Sequence, residues 1–137
     1  MKRLPTDLEI LNAIYDRYYE TFTQYTDGDD TRSAKIYVPI DIKQIAEDLK
    51  VDGDIVFGRL YYHLEKKHGY RHNDGSLVPF FSLGLGGDTH CINFPLAASV
   101  LADLREQARK YNIATWIAVG SLIISIVSIA ISILARR

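Results

Sequence analysis

Ile40 to Tyr70, IDIKQIAEDLKVDGDIVFGRLYYHLEKKHGY, reads as two helices joined by a tight turn. Asp41 precedes an apolar-periodic run and Gln44 follows three residues on, the spacing of a capped N-terminus, so the first helix is predicted over Ile42 to Leu49. Lys50 to Asp54 is turn chemistry. The second helix is predicted from Ile55 to about His68, with Val56, Leu60 and Leu64 on its buried face and Gly69 as a left-handed stop.

Upstream, Thr6-Asp-Leu-Glu9 has the reciprocal capping spacing, and Leu8, Leu11, Tyr15, Tyr18, Phe22 and Tyr25 lie on one stripe of a helix running to about Tyr25. Thr26 to Ser33 is a polar loop. Its Asp27, Asp29 and Asp30 lack the remaining ligand positions of a calcium loop and read as solvated acids. Lys35 to Ile40 is a short β segment. Downstream, Asn73-Asp-Gly-Ser76 is a turn, and Leu77 to Leu85 and His90 to Phe94 form a hairpin across Gly84 to Asp88. Pleating should send Phe80 and Phe81 to opposite faces, one into the core and one outward.

This order of helix, short strand, helix, turn, helix and hairpin is an α+β pattern, and over residues 6 to 95 it resembles the winged helix-turn-helix of bacterial transcription regulators. IAEDLKV matches the first helix and turn of that motif, with Ala46 where two helices cross and Val51 as the apolar plug; the leucines of the third helix and the Gly69-Tyr70 exit match as well. The resemblance implies a three-helix core with a β-hairpin wing. It implies either a DNA-binding or a protein-binding role, since winged helices serve both. In the family the start of the third helix faces phosphate and base edges. Here that stretch carries Asp52 and Asp54, then Phe57, Gly58, Tyr61 and Tyr62, with Arg59 as the one strong guanine reader.

Charge is unevenly placed. Residues 1 to 54 hold seven Lys and Arg against twelve Asp and Glu, a net of −5, whereas Arg59 to His72 holds Arg59, Lys66, Lys67 and Arg71 against Glu65 alone. Two surfaces follow as candidates. Phe57, Tyr61, Tyr62 and an outward Phe81, with the apolar wing, suit a protein partner; Arg59, Lys66, Lys67 and Arg71 suit DNA backbone, anionic lipid or an acidic protein. The carboxylates at Asp52 and Asp54 are poor neighbours for phosphate, which favours a protein-interaction or adaptor role over a membrane-tethered DNA-binding regulator.

No G-x-S-x-G, Walker loop or H-E-x-x-H motif occurs, so no catalytic residue or cofactor is assigned. His63, His68, His72, His90 and Cys91 do not make a metal set, because Gly69 should separate His68 from His72 and keep them off one helix face. The lone cysteine has no disulfide partner in the chain, which fits a reducing compartment.

From Ile113 to Ala135 (IATWIAVGSLIISIVSIAISILA) no side chain is charged, and Arg109-Lys110 and Arg136-Arg137 bracket the run. As a helix it would be about 34 Å long, enough to cross a hydrocarbon core of about 30 Å. The start of the chain has no apolar core of a signal sequence, and two residues follow the span. The expected arrangement is therefore a single-pass tail anchor with the N-terminal domain in the cytosol. The expected divisions are a winged-helix domain over 1–95, a juxtamembrane helix over 96–112 and a transmembrane helix over 113–135. Within the span, Ala114, Ala118, Ser121, Ser125, Ser128, Ser132 and Ala135 recur at alternating spacings of four and three, a small-residue stripe that predicts self-association as a left-handed parallel pair. Extended backward, the register meets Ala97, Val100, Leu104, Gln107 and Tyr111. The segment before the membrane could continue the span or fold onto the domain.

Overall fold

The computed structural model describes residues 3–28 and 31–137, so Asp29 and Asp30 of the acidic loop lie outside the described residues. Helix α1 (Asp7–Thr23) starts as its cap predicts: Glu9 N–H donates to Thr6 Oγ1 at 3.2 Å and Thr6 N–H donates to Glu9 Oε2 at 2.9 Å. The buried face is Ile10, Leu11 and Ile14, a rotation from the aromatic stripe the periodicity suggests. Compact aliphatic residues take the fully enclosed centre. Tyr15 and Phe22 sit half-buried at its rim and stack on Phe94 at 5.5 and 4.8 Å between centroids, while Tyr25 lies past the helix end.

The loop after α1 is not uniformly solvated. Arg32 is only 8% exposed, donates to the carbonyls of Thr21, Ala34 and Lys35, and lies over the Tyr25 ring at 4.7 Å. A guanidinium can be buried this way because its fork of donors is satisfied by fixed carbonyls. Strand β1 (Tyr37–Pro39) follows, then α2 (Ile42–Leu49), with Gln44 N–H donating to Asp41 Oδ1 at 3.2 Å. Helix α2 ends on Lys50 in the left-handed region (φ 56°), and Val51 N–H returns to the Ala46 carbonyl at 3.0 Å.

The third helix runs continuously from Gly53 to His68 in three segments: α3 (Gly53–Gly58), a π-helical stretch (Arg59–Leu64) and α4 (Glu65–His68). Val56, Leu60 and Leu64 are buried as their spacing predicts. A strict spacing of four drifts about 40° per step round an α-helix, and the wider π turn, in which Glu65 N–H donates to the Leu60 carbonyl five residues back, takes that drift back. Gly69 is not a left-handed stop; it is extended (φ −63°, ψ 143°). Glycine is needed there for space, since a Cβ would lie 2.7 Å from the Glu65 carbonyl oxygen and 2.6 Å from its Oε1.

The strand expected over Leu77 to Leu85 is broken in two. Strands β2 (Tyr70–Arg71) and β3 (Leu77–Val78) pair as a small ribbon, while β4 (Phe81–Leu85) and β5 (Asp88–Asn93) form the longer hairpin. With β1 these make an antiparallel sheet in the order β1-β5-β4. Phe80 and Phe81 are both buried, contrary to the pleat rule, because Phe80 lies in the Pro79-Phe80 break before β4, where strand alternation does not apply. The main chain there is fixed from outside the sheet: Phe80 N–H and Phe81 N–H both donate to Glu65 Oε2 at 2.7 Å. Cys91 is buried in β5, and desolvation, with Asp88 nearby, pushes its thiol above the ordinary value and keeps it protonated.

Helix α5 runs from Phe94 to Ala135. The chain divides into two compact units, Met1–Ala102 and Asp103–Arg137, and the first turns of α5 belong to the first unit, where Phe94, Ala97, Val100 and Leu101 are buried. The second unit is a helix whose most apolar window has a mean hydropathy of 2.6 and no buried share. It is long and apolar enough to cross a membrane.

Candidate functional site

The third helix brings Phe57, Tyr61 and Tyr62 together on one face. Phe57 stacks on Tyr61 at 5.4 Å between centroids, Tyr62 meets Tyr61 edge-on at 5.0 Å, and Tyr62 remains 71% exposed. The fourth residue expected here is withdrawn: Phe81 is 2% exposed and lies under the cluster, 6.1 Å from Phe57. It supports the face and cannot itself be the contact. His90, in the left-handed region (φ 51°), stacks on Phe81 at 6.1 Å and approaches Phe57 at 6.0 Å.

Open grooves flank the cluster. One, of about 860 Å³, lies beside Phe57 and is lined by Pro39, Ile40, Ile42, Lys43, Asp54 and His90. The other, of about 580 Å³, runs between Tyr61, Tyr62 and Lys66 on the helix and Leu77, Pro79 and Leu83 of strands β3 and β4 and the break between them. Asp52 caps the helix, its Oδ1 accepting from Asp54 N–H at 2.9 Å, and Asp54 stands exposed at the first groove. A carboxylate at that position repels phosphate and tolerates a neutral or cationic partner.

The four candidate cations do not form one surface. Arg59 turns to α1, its Nε donating to Asp7 Oδ1 at 2.6 Å, while His63 Nε2 lies 3.2 Å from Asp7 Oδ2. The strongest candidate base reader is therefore a structural clamp between two helices. Lys66 and Lys67 are exposed and, among the described residues, belong to no ion pair; Arg71 donates to the Gly75 carbonyl at 2.9 Å in the β2–β3 ribbon. Replacing Arg59 by Ala should cost about 1–2 kcal/mol of stability, since a partly buried, charge-assisted contact is lost. It should leave any DNA affinity unchanged, and urea unfolding beside a duplex titration checks both.

The histidines are dispersed: His63 at Asp7, His68 against Phe80, His72 against Tyr70 and His90 against Phe81. Among the described residues no three His, Cys, Asp or Glu side chains gather as a metal set. On α5, Ala114, Ala118, Ser121, Ser125, Ser128, Ser132 and Ala135 are all exposed in the single chain. Ser121, Ser125 and Ser128 each donate to the carbonyl four residues back at 2.9 Å, so their donors are already satisfied in apolar surroundings. Lone pairs are left to accept across a helix pair.

Glu65 is the functional support that sequence reading missed, because it shows there only as the lone acid among cations. The available signal was Gly69 four residues on, which leaves room for it. Comparison with known proteins finds no family, no curated protein and no solved structure that matches this chain.

Proposed function

We propose that the chain is a non-enzymatic, membrane-anchored winged-helix module that recognises a protein partner through Phe57, Tyr61 and Tyr62, with the domain on the cytosolic side. The winged-helix reading is supported by the element order and by a β1-β5-β4 sheet whose β4–β5 hairpin follows the third helix. The anchor is supported by the uncharged run of α5, and self-association through its stripe of Ala and Ser by the close helix approach that small residues permit.

The observation that carries the recognition reading is the exchange of roles on the third helix. Aromatic rings occupy its outward face, while Arg59 is spent on Asp7. Exposed tyrosines in mutual ring contact beside grooves are the composition of a protein contact, where a few aromatic anchors carry most of the energy. Lys66 and Lys67, which belong to no ion pair among the described residues, favour with Arg71 a second reading as a membrane-tethered DNA-binding regulator.

A duplex DNA titration of the full chain in phosphatidylcholine nanodiscs, at several salt concentrations, separates the two. The protein-recognition reading expects weak binding without a steep salt slope; a steep slope removed by Lys66→Ala with Lys67→Ala would establish the regulator. With a photo-reactive group placed at Tyr61, cross-linking to the partner should fall at least about 30-fold on Tyr62→Ala, the loss expected of an interface anchor.

A further inference from the structure

We infer that the end of the third helix and the β2–β3 ribbon form a docking surface for anionic lipid headgroups. This surface adjoins the Phe57-Tyr61-Tyr62 face across the groove that Lys66 and Leu77 share with Tyr61 and Tyr62, and the inference rests on the membrane anchor proposed above.

The ribbon has two residue pairs and stands outside the main sheet, so it has little stability of its own. It nevertheless displays apolar side chains: Tyr70 is 48% and Leu77 55% exposed. Its register sets Arg71 opposite Leu77, so a guanidinium and an aliphatic side chain share one face, while Tyr70 opposes Val78 on the other. Lys66 and Lys67 come from the adjoining helix end. Lys66 and Leu77 line one groove, and with Arg71 on the Leu77 face they make a small surface of basic and apolar side chains, the composition that favours the boundary between lipid headgroups and acyl chains.

Charge supports the same assignment. Lys66, Lys67 and Arg71 belong to no ion pair among the described residues, and Glu65, their neighbour in sequence, is engaged by the amides of Phe80 and Phe81. Asp74 is the carboxylate that remains in the turn; its Oδ1 accepts from Ser76 N–H at 2.8 Å and from Ser76 Oγ at 2.6 Å. Three cations against Glu65 and Asp74 leave the stretch at a net of +1, and each cation near an anionic leaflet adds attraction.

Among possible anionic partners the bilayer is the one the chain brings with it. Ten residues, 103–112, separate the folded unit from the apolar span, so the surface of the membrane holding that span is within covalent reach. Attachment to that bilayer keeps headgroups at a high local concentration around the domain, which lets a modest surface bind without high intrinsic affinity.

Hydrogen exchange on the full chain tests this, in nanodiscs of phosphatidylcholine alone and of phosphatidylcholine mixed with phosphatidylserine. Amides across residues 66–78 should exchange about tenfold more slowly in the mixed discs, and the difference should vanish at high salt or on combined Lys66→Ala, Lys67→Ala and Arg71→Ala substitution. Equal exchange in the two discs overturns the proposal, as does slowing that survives loss of the three cations. If duplex DNA slows these amides where phosphatidylserine does not, the surface belongs to nucleic acid and the lipid assignment fails. A chain that stays soluble when the discs are assembled sinks the anchor instead, and that outcome is visible before any exchange is read.

Discussion

Glu65→Ala should lower the stability of the folded domain by about 3–5 kcal/mol, among the largest losses any exposed-to-half-buried polar residue of this chain can give. One carboxylate oxygen accepts the amides of both Phe80 and Phe81 at 2.7 Å, and both side chains are buried. Hydrogen bonds to a charged acceptor contribute about 1.5–3 kcal/mol each, and deletion leaves two partly buried donors without a partner. Glu65→Gln keeps an acceptor oxygen but not its charge, so it should lose about half as much. Gly69→Ala should act on the same contact by forcing the Glu65 side chain out of its place. Urea unfolding followed by near-ultraviolet circular dichroism, at constant slope, measures all three. A loss below about 1 kcal/mol for Glu65→Ala would show that the strand start is held by packing alone. The same substitution should loosen the recognition face, because Phe81 lies directly beneath Phe57.

That dependence explains which parts of the fold were legible in the sequence. Local rules recovered α1 and α2 with their caps, since Thr6-Glu9 and Asp41-Gln44 act within four residues. They recovered Val56, Leu60 and Leu64 as core and the β4–β5 pairing across Gly86-Gly87. They failed where a distant group decides the backbone. Pro79 is the local mark of a break within Leu77 to Leu85, but nothing there shows that Glu65 takes two of its amides, and the reading of one strand with an outward Phe81 gives way to two strands with Phe81 buried. Arg32 is a parallel case, its burial set by carbonyls up to eleven residues away.

The candidate site follows the same division. Phe57, Tyr61 and Tyr62 do share a face, as helical spacing within one element predicts, and the π turn beside them is marked in the sequence only by the strict four-residue spacing of Val56, Leu60 and Leu64. The basic set does not hold together, because the partner of Arg59 is Asp7, 52 residues away. Counting charges along a segment treats every cation as available. In the fold one of the four is neutralised by an acid from the oppositely charged end, and what remains lies toward the β2–β3 ribbon.

Two arginines in the middle of the apolar helix should release the chain from the membrane, where one should only weaken its hold. Ile113 to Ala135 holds twelve Ile, Leu and Val residues. At about −0.3 to −0.6 kcal/mol each near a helix centre, these favour insertion by roughly 5 kcal/mol. The serines subtract from this, but Ser121, Ser125 and Ser128 blunt their cost by donating to carbonyls of their own helix. Ile124→Arg replaces a favourable residue by one costing about 2.5–3.5 kcal/mol, which takes insertion close to balance. Ile124→Arg with Val127→Arg doubles that cost and carries the balance past zero. Fractionation after carbonate extraction should therefore find the wild type in the pellet, the single variant divided, and the double variant in the supernatant. Retention of the double variant at the wild-type level would mean that the helix is held by protein rather than by hydrocarbon, and the anchor would have to be abandoned.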